Sequence, residues 1–196
     1  MPVTEFLNSK GFYQFEGYAD IPKQLEELIQ LTSRPNISIM EIGFNAGNSA
    51  ELFLQNNSSA TLTSFDIGIH SYVVPAKQYI DTRFPNRHTL ILGDSTLSIP
   101  TYINNNPGKT FDVIFIDGGH DFTVANADIT HCRSLAHKDT IVIVDDTVYT
   151  DSWKVSYTDG PTRAWLENLE NKKIVEINRA DYCRGKGMSW GKYVVI

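Results

Sequence analysis

The chain has 196 residues, 41% of them hydrophobic and 20% charged, with a formal net charge of −6. That length suits one domain able to bury roughly 70% of its unfolded surface, and the negative charge, with no Lys/Arg stripe, argues against a nucleic-acid partner. Two cysteines, Cys132 and Cys183, give no disulfide framework and lead to the expectation of a reducing, cytoplasmic setting; no apolar run reaches membrane-span length and the N-terminus lacks a signal core, so no membrane partner is expected.

Residues 1–19 carry Phe6, Phe12, Tyr13, Phe15 and Tyr18 among glycines and polar residues. They read as an N-terminal arm, either covering an edge of the fold with its rings or closing over a substrate. A single domain is expected over residues 20–196. It opens with a helix over 20–31. Asp20 can cap that helix, Pro22 is tolerated in its first turn, and Ile21, Leu25 and Leu28 recur at helical spacing.

Ile37 to Ile42 form a short apolar run of buried-strand length, broken at Gly43, Asn45 and Gly47. Apolar residues resume at Ala50, Leu52, Phe53 and Leu54, as in a helix packed on a sheet. Strand, glycine turn and helix form the opening of a doubly wound nucleotide-binding sheet. The spacing Glu41-x-Gly43-x-x-x-Gly47 lacks the pyrophosphate fingerprint, which disfavours an NAD-dependent oxidoreductase. The segment Glu41-Ile-Gly43-Phe-Asn45-Ala-Gly47-Asn-Ser49 resembles motif I of class I S-adenosylmethionine (SAM) dependent methyltransferases. The likeness is greatest to the catechol O-methyltransferase type and related small-molecule enzymes. It implies a three-layer, Rossmann-like α/β fold with a seven-stranded, mostly parallel sheet and an antiparallel last strand. It also implies cofactor contacts at Glu41, Gly43, Asn45, Gly47 and Ser49.

The next strand, Ala60 to Asp66, ends in an acid about 20 residues past the turn, where a carboxylate takes ribose hydroxyls. An ionised carboxylate only accepts, which suits a vicinal diol. A helix over 75–84 leads to the strand His88–Leu92, followed by Gly93-Asp94-Ser95. The resemblance implies adenine contacts from Asp94 or Ser95. A loop-capping role for Asp94 is the alternative. Residues 96–105 read as another helix.

Val113 to Ile116 are solidly apolar, as a central parallel strand must be, and the strand delivers Asp117 to its C-terminal end. After a helix over 122–135, the strand from Thr140 delivers Asp145 and Asp146 in the same way. Ligands of open α/β sheets bind outside those strand ends, so three carboxylates are expected to converge there. Crowded carboxylates need a proton or a cation. Oxygen ligands suit a hard ion, Mg²⁺ first, with Ca²⁺ or Mn²⁺ as other choices. The catechol-type resemblance implies such a metal on Asp117 and Asp145, with Asp146 standing where that family has asparagine. Asp117 is expected to face the cofactor as well as the reaction centre. That family's lysine, three residues past the first metal aspartate, is here His120. Histidine titrates near neutrality and can serve as the base, a loop or helix-capping role being the alternative. His70, His88, His131 and His137 show no ligand spacing and read as surface or structural.

Tyr149, Trp153 and Tyr157 are expected in a loop, followed by a helix over 160–169 and strands over 173–177 and 189–196. The connection between those strands is too short for a parallel crossover, so they should be antiparallel. This yields seven strands and about six helices. The expected activity is transfer of a methyl group from SAM to a hydroxyl of a small molecule, a sugar or a phenol, with a divalent metal. A metal-independent SAM methyltransferase and a SAM-binding scaffold without turnover are the rival readings. A homodimer is compatible with the sequence.

Overall fold

The computed structural model describes residues 1–16 and 21–195. The roles expected for Tyr18 and for Asp20 as a helix cap fall on residues outside that description. The N-terminal segment holds a helix that composition did not signal, α1 (Val3–Ser9). Val3 and Leu7 lie one turn apart and are both buried. The Val3 N–H donates to Glu51 Oε2 at 2.9 Å, and Phe6 stacks on Tyr79 at 4.8 Å.

The second helix, α2 (Pro22–Leu31), starts on the proline, where a missing N–H removes no helical bond. Strands and helices then alternate: β1 (Ser38–Ile42), α3 (Asn48–Asn56), β2 (Thr61–Asp66), α4 (Val73–Arg83), β3 (His88–Leu92), α5 (Ser95–Asn105), β4 (Phe111–Ile116), α6 (Phe122–Cys132) and β5 (Ala136–Asp145). The chain closes with α7 (Ser156–Glu170), β6 (Ile174–Cys183) and β7 (Lys186–Tyr193).

All seven strands form one sheet in the order β3-β2-β1-β4-β5-β7-β6. The first five strands run parallel, and β7 lies antiparallel to both β5 and β6. Neighbouring side chains of a strand serve opposite faces. Ile39, Val113 and Phe115 belong to one apolar cluster, with Phe44, Phe53 and Leu62. Met40, Ile42, Ile114 and Ile116 belong to the other, with Ile129 and Trp165. A strand covered on both faces has no polar alternation, which is why these runs were legible. The strand order reverses between β1 and β4, and that switch point opens a crevice at the C-terminal strand ends.

Several boundaries differ from the sequence reading, three of them near the C-terminal strands. β5 starts at Ala136, because Ala136 pairs with Phe111 ahead of a register shift. α7 starts at Ser156, with the Val155 N–H donating to Thr158 Oγ1 at 3.1 Å, so Tyr157 belongs to a helix. The final connection shrinks to Arg184-Gly185, with Gly185 at φ +75° in the left-handed region that a tight turn requires. Among the described residues no helix is long and apolar enough to cross a membrane.

Candidate active site

The turn after β1 is shaped by close backbone approach. Gly43 has φ +92°, and a Cβ there would lie 1.9 Å from the carbonyl oxygen of Asp117. Asn45 takes φ +48°, and Gly47, at φ +79°, precedes the first turn of α3. This path aims the Asn45 N–H at Asp66 Oδ2, 2.8 Å away. Asp66 Oδ1 accepts from the Gly68 N–H at 2.7 Å. Each carboxylate oxygen thus holds one backbone donor and keeps a lone pair for a hydroxyl. Asn45 Oδ1 and the Tyr72 hydroxyl are buried side by side next to this turn.

Two residues of the motif, Glu41 and Ser49, bond to each other within the chain. Glu41 is fully buried and accepts from Ser49 Oγ and, at 2.6 Å, from Ser64 Oγ. Ser64 Oγ also meets His88 Nε2 at 2.9 Å, and the His88 ring stacks on Phe44 at 5.0 Å. Glu41 and Ser64 have no exposed surface and brace the turn from below, while Ser49 is partly exposed and holds Glu41 through its hydroxyl. Burial pushes the Glu41 carboxyl up to about 7, and it lowers the His88 imidazole to about 4. His88 is therefore structural.

Residues 12–16 lie against the loop that follows Asp66. Phe12 and Phe15 meet the Tyr72 ring edge-on at 6.3 and 5.4 Å, Tyr72 stacks on His70 at 4.9 Å, and His70 Nε2 lies 3.3 Å from Glu16 Oε2.

The acids converge at the ends of β4 and β5. Burial first, and then the charge of Asp146, push the Asp117 carboxyl up to about 7. Asp146 is buried and sits at φ +55°, a conformation an aspartate tolerates better than most side chains. Its Oδ2 meets His120 Nε2 at 3.0 Å, and its Oδ1 meets Lys186 Nζ at 3.3 Å. A carboxylate oxygen of Asp117, one of Asp146 and a ring nitrogen of His120 lie within 4.8 Å of one another, a spacing that fits one divalent ion. Asp145 does not join that group, contrary to expectation. Successive strand residues point in different directions, and Gln24 Nε2, from α2, donates to Asp145 Oδ1 at 2.6 Å. Burial, with Asp117 and Asp146 nearby, pushes Asp145 well above the usual carboxylate range.

His120 sits on the loop after β4, 43% exposed at its side chain. Its hydrogen bond to Asp146 raises the imidazole above its usual 6.5, against burial and Lys186. The Tyr157 ring stands 5.4 Å from it. A Cβ on Gly160 would lie 2.0 Å from the His120 carbonyl oxygen, so α7 can press on this loop only at a glycine. Lys186 and Gly160 were missed by sequence reasoning. Neither stands beside a motif, and both contacts depend on long-range packing.

Asp94 caps α5, with Oδ1 accepting from the Thr96 N–H at 2.9 Å and from its hydroxyl at 2.7 Å. Those bonds hold its carboxyl below the usual range. Asp94 borders a cleft of about 500 Å³ between β3 and α5. Ser95, the first residue of α5, faces inward to Asp128 of α6. Asp128 has no exposed surface, and the Ser95 hydroxyl lies near its carboxylate. Burial pushes its carboxyl from 3.8 up to about 7, and the nearby Ser95 hydroxyl offsets only part of this. Between those two values the folded chain holds a proton that the unfolded chain has released. Stability attributable to this group therefore falls as pH rises from 3.8 to about 7 and stays low above that. Asp128→Asn should melt about 4–8 °C above the parent at pH 8, with the gap closing towards pH 4. Parallel melting profiles across that range would contradict the assignment.

A family model described as a methyltransferase domain matches residues 40–147, more than half of the chain. That span runs from β1 through Asp66, Asp117 and His120 to Asp146. Among curated proteins no sequence matches significantly. Solved structures share the fold at low identity. The O-methyltransferase of Bacillus cereus, in complex with S-adenosylhomocysteine, superposes with a TM-score of 0.75 at 18% identity, covering 97% of this chain and 90% of that one. TomG of Streptomyces achromogenes, an O-methyltransferase of tomaymycin synthesis in complex with SAM, gives 0.72 at 15%, covering 98% and 88%. CalS11, a TDP-rhamnose 3′-O-methyltransferase of calicheamicin biosynthesis, gives 0.65 at 17%, covering 88% and 78%.

Proposed function

The chain belongs to this methyltransferase-domain family, and from that premise we propose that it transfers a methyl group from SAM to a hydroxyl oxygen of a small molecule, a sugar or a phenol. The observation that carries the reading is the joint between two half-sites. The turn that aims Asn45 at Asp66 touches the backbone of Asp117, so a diol-accepting carboxylate and an acid–imidazole pair line one crevice.

Asp66 accepts the ribose hydroxyls, and the Asn45 and Gly68 N–H groups hold its carboxylate in place for that task. Gly43 and Gly47 keep side chains out of the turn where the nucleoside lies. When bound, SAM supplies an activated methyl group on a sulfonium, whose displacement by an oxygen nucleophile leaves the neutral thioether. His120 takes the acceptor's hydroxyl proton, and Asp146 orients the imidazole and stabilises the imidazolium that forms. Asp117 and Asp146 would hold a divalent ion, Mg²⁺ in first place, since that ion needs only one or two carboxylates and completes its shell with water and substrate. Once bound there, the ion would lower the pKa of the acceptor hydroxyl. Free Cys132 and Cys183 support a reducing, cytoplasmic setting.

The test is transfer of an isotopically labelled methyl group from SAM to a panel of sugars and phenols, with and without chelator. Label on oxygen that declines in chelator is expected. Label found only on nitrogen or carbon would end the O-directed reading, and undiminished turnover in chelator would remove the ion from it. Calorimetry supplies the cofactor arm. Asp66→Ala is expected to weaken S-adenosylhomocysteine binding about 10–100-fold, the loss of one or two hydrogen bonds to a charged acceptor. Unchanged affinity would show that Asp66 is only a brace for the turn.

A further inference from the structure

The acidic centre carries a cation of its own. Lys186 opens β7 directly after the Arg184-Gly185 turn, and its Nζ lies 3.3 Å from Asp146 Oδ1. The other oxygen, Oδ2, is taken by His120. Each oxygen of Asp146 thus meets a partner within the chain, and the ammonium on Oδ1 puts a positive charge beside the place a divalent ion would take between Asp117 and Asp146. His120 is fixed by its short loop, by Gly160 at its carbonyl and by the Tyr157 ring. Lys186 is fixed only at its root. The Gly185 N–H donates to the Trp153 carbonyl at 2.7 Å, and the Tyr157 hydroxyl donates to the Gly185 carbonyl at 3.0 Å. Beyond that root runs a four-carbon stem with freely rotating bonds, and the side chain is one quarter exposed. Burial disfavours its charge, but Asp146, Asp145 and Asp117 together outweigh burial and keep the ammonium protonated.

We propose that Lys186 is an exchangeable resident cation. It neutralises Asp146 in the metal-free protein, and a divalent ion enters by displacing its ammonium group towards solvent. The inference rests on the reading that Asp117 and Asp146 hold such an ion. It adds that the ion's affinity is set by competition within the chain. Without the ammonium, the ion meets the same carboxylates and no like charge beside them. With arginine in its place, a bulkier positive group remains.

Mn²⁺ serves as probe, titrated into the full chain with S-adenosylhomocysteine present and free Mn²⁺ read by electron paramagnetic resonance. Lys186→Met is expected to bind Mn²⁺ about tenfold more tightly than the parent, and Lys186→Arg no more tightly. The metal-free melting temperature of Lys186→Met should lie below the parent's and recover on adding Mn²⁺, because its acids have lost their counter-ion. Equal or weaker Mn²⁺ binding by Lys186→Met overturns the proposal, as does tighter binding by Lys186→Arg. Lys186→Gln gives the same reading if the methionine variant does not fold. Binding of S-adenosylhomocysteine with no Mn²⁺ binding in any variant overturns the exchange and leaves methyl transfer standing. Failure to bind S-adenosylhomocysteine strikes the methyltransferase assignment, and the Mn²⁺ comparison still decides the role of Lys186.

Discussion

Replacing His120 by alanine should lower kcat about 10²–10⁴-fold, the usual contribution of a positioned proton acceptor. Affinity for S-adenosylhomocysteine should stay within about threefold of the parent, since a group used only during transfer adds little to ground-state binding. The imidazole is partly exposed and tied to Asp146 at 3.0 Å. That bond raises its pKa above 6.5, which strengthens the base but leaves it protonated further into the neutral range. The parent's kcat should therefore climb with pH on the alkaline side of 6.5, and that limb should vanish in His120→Ala. A loss of less than about tenfold, with the pH limb intact, would place the base elsewhere.

Gly43→Ala should be the most damaging single substitution in the turn, costing about 3–5 kcal/mol and with it cofactor binding. Two penalties coincide. The residue has φ +92°, which an L side chain adopts only under strain, and the new Cβ would lie 1.9 Å from the Asp117 carbonyl oxygen and 2.8 Å from its carbon. Those neighbours are main chain at the end of a central strand, so no rotamer change can relieve the overlap. Gly11 is the natural control. It has φ +90° and nothing within 4 Å of the corresponding Cβ. Gly11→Ala should cost about 1 kcal/mol, the backbone strain alone. Comparable denaturation midpoints for the two variants would mean that the two half-sites do not touch.

What the sequence made legible follows from burial on both faces of the sheet. β1 and β4 read as largely apolar runs, residues 113–116 without a break, because α-helices cover them on either side, and Asp117 at the end of β4 could be placed by counting. Asp66 was singled out by its distance past the glycine turn, and its Oδ2 does accept from that turn's Asn45 N–H. The misses share a different cause. Asp145 stood in a convincing pair, yet its carboxylate goes to Gln24, 121 positions away, and no local pattern encodes that bond. Lys186 lies 40 positions from Asp146, and no local pattern ties it to the acids. α1 is seven residues long, too short for periodicity to speak, and it is held by contacts with Glu51 and Tyr79. Asp94 satisfies the geometry of a cap at Oδ1, and Glu41, though inside the motif, lies under the turn.

The abutment of Gly43 on Asp117 works as a ruler for the crevice. Its span, from Asp66 to His120, is gauged by main chain meeting main chain. Side chains along the rim can therefore be exchanged to admit a different acceptor while the reach between the two ends stays constant.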